Sequence, residues 1–349
     1  DSASPFSTAL GSGALGATPT GTYNVAIGYN AGYSISSGQR NVAIGDSALY
    51  TTTQGIQNVA IGTNALNENV TGGYNVAVGY YALDKATTDH NTAVGTHAGQ
   101  NITTGERNVA MGFQAMMSGV VTGDDNVAIG YKAGRVITSG QYNVMLGRDA
   151  GDAVTTGSNN IALGQNSMGV SLGVTGSNNI AIGTDSGRDI TSALYTISIG
   201  YEAGANVTTA LNKVAIGRNA SGTLTVGANN VAVGPTALYL NTGNSNTALG
   251  SSAGSTTTTG ANTTMLGYNA EPSSATVSNE VTLGDANVTR FRIPGIGLDW
   301  TAAPASLTGI TSEFFRLHYN RNPKHGTRIW HWWFINSRSK KRNSWALGV

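Results

Sequence analysis

One five-residue phrase, Asn24-Val25-Ala26-Ile27-Gly28, recurs sixteen times and restricts the fold of this chain more tightly than any other feature of its 349 residues. It returns at Asn41 to Gly45, Asn58 to Gly62 and Asn75 to Gly79, and continues with small changes to Glu280 to Gly284. The closing glycines are 17 residues apart in most steps, with two steps of 16 and one each of 18 and 19. A fixed period of this length is the signature of a stacked-repeat architecture. Gly totals 48 residues, well above ordinary usage, and this too argues against a conventional globular core.

Aligned on those glycines, each column has its own chemistry. Three residues before the Gly every copy is β-branched, and one residue before it every copy is aliphatic. The intervening position is Ala in twelve copies, and the first position is Asn in twelve. In an extended chain alternate side chains share a face, so Val and Ile point one way while Asn, Ala and Gly point the other. β-branched enrichment, short runs and a bounding Gly predict strands, and no 3.6-residue period competes. Three residues after the Gly, thirteen copies carry Ala and two Ser, and the variable remainder usually closes on Thr-Gly or Ser-Gly. Each unit therefore reads as strand, Gly turn, a second short strand or arc, and another Gly turn.

One coil of this kind buries too little to order itself, so neighbours must stack on it, pairing strands in parallel and in register. The predicted fold is all-β, a parallel β-roll (β-solenoid) of about 16 coils of 17 residues, roughly 75 Å long at about 4.8 Å per coil. On this reading the aliphatic columns are core stripes, and the small Ala and Gly face is covered by further copies of the chain, most simply in a trimer. The Asn column (Asn24, Asn41, Asn58, Asn75 and their equivalents) reads as a side-chain amide ladder, with Gly28, Gly45, Gly62 and Gly79 as the turn positions. The expected organisation is a lead-in segment over 1–23, the roll over 24–287, an exit or neck over 288–310 and a basic aromatic tail over 311–349.

The Asn-Val-Ala-Ile-Gly-x-x-Ala unit resembles the head repeats of trimeric autotransporter adhesins and the similar repeats of bacteriophage tail fibres. The resemblance covers about 24–287. It implies a trimeric parallel β-roll that projects from a virion tail or cell surface and contacts a host glycan or protein. Glu280-Val281-Thr282-Leu283-Gly284 with Arg290-Phe291-Arg292-Ile293-Pro294-Gly295 looks like the exit from such a roll in phage fibres. The adhesin repeat is shorter than 17 residues and no membrane-anchor barrel segment is recognised after it, which favours the phage-fibre comparison.

Little in the sequence points to chemistry, and no enzyme, cofactor or metal is expected. Gly11-Ser12-Gly13-Ala14-Leu15-Gly16 fits the dinucleotide pattern, but no βαβ context surrounds it. The carboxylates Asp84 and Asp89, Asp124 and Asp125, and Asp149 and Asp152 are better explained as turn residues than as the acid pair of a polysaccharide-cleaving tailspike. The chain has no Cys, and its five His form no ligand pair. No stretch is long and apolar enough for membrane insertion.

Directly after the motif Gly stands a corner position holding Tyr29, Tyr80, Phe113, Tyr131, Tyr201 and Tyr268 among polar residues. These rings are candidates either for contact with a surface glycan or for packing on neighbouring coils and chains. The tail over 311–349 carries a net +7 against −6 for the rest, with four of the five Trp. It reads as a cap or interface, or else as a reading-frame or assembly artefact, ahead of a nucleic-acid or anionic-surface site. Two other non-catalytic readings stay open: a self-assembling extracellular filament subunit, and ice binding through Thr. The latter is weakened because the runs Thr51 to Thr53 and Thr256 to Thr259 give way to Lys85, Gly119 and Asn241.

Overall fold

A computed structural model describes residues 6–169, 173–222, 227–293 and 298–301, with the backbone of 332–334 and 343–345. Two compact units divide the chain, 1–287 and 288–349. The first is a parallel β-solenoid with no helix among its described residues. Strands β1 (Thr8–Leu10) and β2 (Val25–Ile27) to β17 (Val281–Leu283) are three residues long, and each pairs in parallel with the next. Register follows the motif, with Val25, Ala26 and Ile27 facing Val42, Ala43 and Ile44. β1 lies within the stretch expected to be a lead-in, so the roll begins one coil before the first full motif. Its Gly11 occupies the motif position, which accounts for the dinucleotide-like glycines without any phosphate loop.

The turn after each strand bonds to its own coil and to the next. Ala31 N–H reaches back to Gly28 O, while Gly32 N–H donates to Ala48 O, and Leu49 N–H to Ala65 O one coil on. Of the two forms expected for this segment, a second short strand or an arc, the structure shows an arc made mostly of turn, stitched coil to coil by a second backbone ladder. The motif glycines are obligatory. Gly28 has φ +136°, and a Cβ there would lie 2.6 Å from the Gly45 carbonyl oxygen.

The facing of the strands is the reverse of the expectation. Ala26, Ala43, Ala60 and Ala77 are completely buried, as are Asn24, Asn41, Asn58 and Asn75, whereas the Val column is half-buried and the Ile column half-buried to exposed. The aliphatic columns are not core stripes, and the small face is not an outer surface awaiting a partner. The reason is the girth of the coil. Seventeen residues enclose too little volume for two large columns on one strand, and an Asn amide gains most where its donors and acceptor are enclosed.

Bulk in the core comes instead from the opposite wall, at one of two alternative positions. Where the fourth residue after the motif Gly is Leu or Met, as at Leu49, Leu66, Leu83 and Met116, the seventh is small or polar: Thr52, Asn69, Ala86 and Gly119. Where the fourth is Gly, as at Gly32, Gly99 and Gly187, the seventh is Ile35, Ile102 or Ile190. The two positions share one space. A Cβ on Gly99 would lie 3.0 Å from Ile102 Cδ1, and one on Gly187 would lie 2.8 Å from Ile190 Cδ1.

Within the second unit, β18 (Arg290–Ile293) pairs antiparallel with β19 (Leu298–Thr301), and β20 (Trp332–Phe334) with β21 (Asn343–Trp345). The remainder of the tail, including Trp330, Arg328, Arg338 and Lys340 to Arg342, lies outside the described residues.

Candidate functional site

The Asn column is enclosed and forms a ladder. Asn41 donates its backbone N–H (3.0 Å) and its Nδ2 (3.1 Å) to Asn24 Oδ1, and Nδ2 also donates to Gly55 O at 2.8 Å. Asn58 repeats the arrangement on Asn41, and Asn75 N–H donates to Asn58 Oδ1. With every donor committed inside the roll, this column offers nothing to an external ligand. Thr196 and Thr263 continue it with a hydroxyl on the preceding Oδ1. Lys213 interrupts it, buried to 1 % exposure, and burial lowers its ammonium to about 7.

Outside the roll, the most extended feature is the outward side of the strands. Two aliphatic or β-branched columns run side by side from β2 to β17, and no position in either is charged. Ile27, Ile61, Met111, Leu146, Ile182 and Leu266 are each more than one-third exposed. Assigning about 60 Å² to an aliphatic side chain one-third exposed, that single column presents on the order of 1,000 Å² of apolar surface. Continuous apolar patches above a few hundred Å² mark interaction sites.

Two corner columns border this face. The one after the Gly holds Tyr29, Tyr80, Phe113, Tyr131, Tyr201 and Tyr268, all exposed. Some of these rings cover one another. Phe113 stacks on Tyr131 with centroids 5.5 Å apart, Lys132 Nζ and Arg148 Cζ lie 5.0 and 5.6 Å from the Tyr131 centroid, and Tyr80 meets Tyr81 and His97 edge-on. The second corner, immediately before the Asn, holds Tyr23, Arg40, Tyr74, His90, Arg107, Tyr142 and Tyr195 at left-handed φ. Sequence reasoning missed it, although the position before the motif Asn was as readable as the one after the Gly.

The carboxylates serve local geometry. Asp89 Oδ1 accepts Gly73 N–H, Asp124 Oδ1 accepts Glu106 N–H, Asp125 pairs with Arg107 at 2.8 Å, and Asp152 with Arg135 at 2.7 Å. Asp149 Oδ2 accepts Arg148 Nε. Asp84 is buried, and burial raises its carboxyl above the usual range, offset in part by a hydrogen bond from Gln100. Among the described residues, no three His, Asp or Glu side chains are grouped to hold a metal, and no helix is long and apolar enough to cross a membrane.

Thr positions prove more regular than the runs suggested. Eight residues after the motif Gly stand Ser36, Thr53, Thr138, Thr155, Thr191 and Thr258, and each hydroxyl donates to a carbonyl of the next coil. Their first task is stitching the stack.

No protein-family model, curated protein or solved structure matches the chain.

Proposed function

We propose that the protein is a structural and adhesive shaft, working as a trimer in a phage tail fibre or similar surface appendage and attaching to a host surface without catalysis. The observation that carries this reading is the uncharged aliphatic face along the whole roll. A standard protein interface buries about 800 Å² per partner, so this face has the area to hold several chains together. A second copy is the partner whose side chains repeat at the same interval over the same length. The trimer expected from the sequence is thus assigned to the Val and Ile face, not to the small face. Reach follows from coil number, and attachment gains from the same exposed rings being presented in several copies.

Electron microscopy of the purified protein, with a binding assay on host-type cell surfaces, tests this reading. Discrete rods of about 80 Å, set by seventeen strands at about 4.8 Å each, that decorate cells support the shaft. Indefinite end-to-end growth favours the filament subunit, and rods that bind no surface remove the adhesive role.

A further inference from the structure

Each rung of the amide ladder takes partners from the coil that follows it. Asn24 Nδ2 donates to Gly38 O at 2.8 Å, and Asn24 Oδ1 accepts from Asn41. Asn246, the last amide of the column, repeats this with Gly260 O and the Thr263 hydroxyl. A rung therefore offers a donor and an acceptor to whatever is laid on it. At the end of a roll, beside an unpaired strand edge, such an amide is a template for another chain.

The last coil withdraws that template. Its ladder position is Glu280, the one carboxylate in the column, and an ionised carboxylate has nothing to donate. Its oxygens accept Ser273 N–H at 2.7 Å, the Ser273 hydroxyl, and the Thr282 hydroxyl at 3.2 Å, all within the same coil. The Ser273 hydroxyl and N–H hold this carboxyl below its usual range, so it is charged at neutral pH. Two more positions change with it. Thr282 stands where Ala26 is buried in its coil, and Glu271 takes the fourth position after the Gly, which every other coil gives to Gly, Leu, Met or Ser. Glu271 is bound down onto the preceding coil by the hydroxyls of Ser255 and Thr256. Asp285 then turns the chain, accepting Asn287 N–H and Nδ2 at 2.9 Å each, beside a cavity of about 510 Å³ lined by Asn269, Glu271, Thr282 and Asp285. The first coil shows no such change: Ser7, Ala9 and Leu15 fill the same three positions uncharged.

We propose that the β17 end of the roll is a built-in stop, closed to axial addition of a second copy of this chain, and that Glu280 is the residue that closes it. A coil laid on β17 brings the carbonyl that a ladder amide normally satisfies against a carboxylate. The carbonyl is left without its donor and the charge is enclosed without a counter-ion, so addition is disfavoured at this end although the strand edge itself is unpaired. Stacked-repeat folds need a polar terminal coil for the same reason. The inference concerns the end of the roll and does not depend on which side face copies share.

Rod length in electron micrographs tests this, because side-by-side association changes width and leaves length alone. The full chain is compared with Glu280→Asn, which restores an amide rung, and Glu280→Asp, which keeps the charge. The expected result is single-length rods for the unaltered chain and Glu280→Asp, and about a tenfold rise in rods of two or more lengths for Glu280→Asn. Rods of one length in Glu280→Asn at every concentration, or equal lengthening in Glu280→Asp, would overturn the stop. The reverse transplant gives a second readout within one chain. Asn246→Glu is expected to lose hydrogen-exchange protection in β15 (Thr247–Leu249), β16 (Thr264–Leu266) and β17 while the coils before it keep theirs. Undiminished protection beyond the new carboxylate would show that a Glu rung does not end the ladder, and the proposal would fall with it.

Discussion

Asn24 Oδ1 accepts two hydrogen bonds from Asn41, one from the backbone N–H at 3.0 Å and one from Nδ2 at 3.1 Å, both wholly buried. Main chain and side chain are thereby locked to the same atom one coil below. Replacing Asn58 with Ala removes an acceptor for Asn75 and a donor to Gly72 O, leaving buried polar groups unpaired. Such groups cost about 1–3 kcal/mol each. Asn58→Ala is expected to lose hydrogen-exchange protection in its own coil and the two flanking ones. Asn58→Thr, the substitution seen naturally at Thr196 and Thr263, is expected to lose less.

The shared space at Gly99 and Ile102 predicts a rescue. Gly99→Leu alone overfills the core beside Ile102 Cδ1 and Leu83 Cδ2 and is expected to lower the melting temperature, with a cost of about 1–3 kcal/mol. Ile102→Thr alone empties it. Together they recreate the Leu49 and Thr52 arrangement, which already tolerates a left-handed Leu at φ +52°. The double variant is expected to recover most of the loss, whereas additive damage would contradict the exchange of volume.

Lys213 introduces a pH dependence. Its side chain is the largest of the fully buried ones among the described residues and stands where most coils place the ladder Asn. The ammonium titrates near 7 in the fold against about 10.4 in an unfolded chain. Between those values the folded state binds fewer protons, so stability rises with pH across that window, and the full penalty applies below 7. Lys213→Met is expected to raise the melting temperature at pH 6 and to flatten its rise between pH 7 and 10. An unchanged slope in the variant would contradict this assignment.

Outward and inward residues of one strand should respond oppositely. Ile44→Lys is expected to leave the circular dichroism spectrum intact while weakening self-association more than tenfold. Ala43→Val, on the enclosed side at 0 % exposure, is expected to disrupt the coil itself. The two variants separate by far-ultraviolet circular dichroism combined with sedimentation.

Period, strand position and parallel register were all legible in the sequence, because the Asn, Ala and Gly columns repeat without regard to the loops between them. Which face lies inside was not. Alternation shows that Val25 and Ala26 point in opposite directions, but hydrophobicity alone sends Val25 inward, and only the girth of a 17-residue coil reverses the choice. The clue was present in Asn24, since an amide column on the same side as Ala26 gains from enclosure. The exchange between Gly32 with Ile35 and Leu49 with Thr52 was hidden because each column looks variable when read by itself. β1 escaped notice because Ser7-Thr8-Ala9-Leu10-Gly11 lacks the motif Asn. The corner before the Asn escaped because Tyr23, Arg40 and Gln57 share no chemistry down their column.

Native mass spectrometry of the intact chain tests most directly whether the outward Val and Ile face is covered by copies of itself. The account predicts a single closed species of three times the 35.7 kDa chain at micromolar concentration, falling towards the chain mass in Ile44→Lys. A monodisperse 35.7 kDa species for the unaltered protein, persisting as concentration rises, would contradict it.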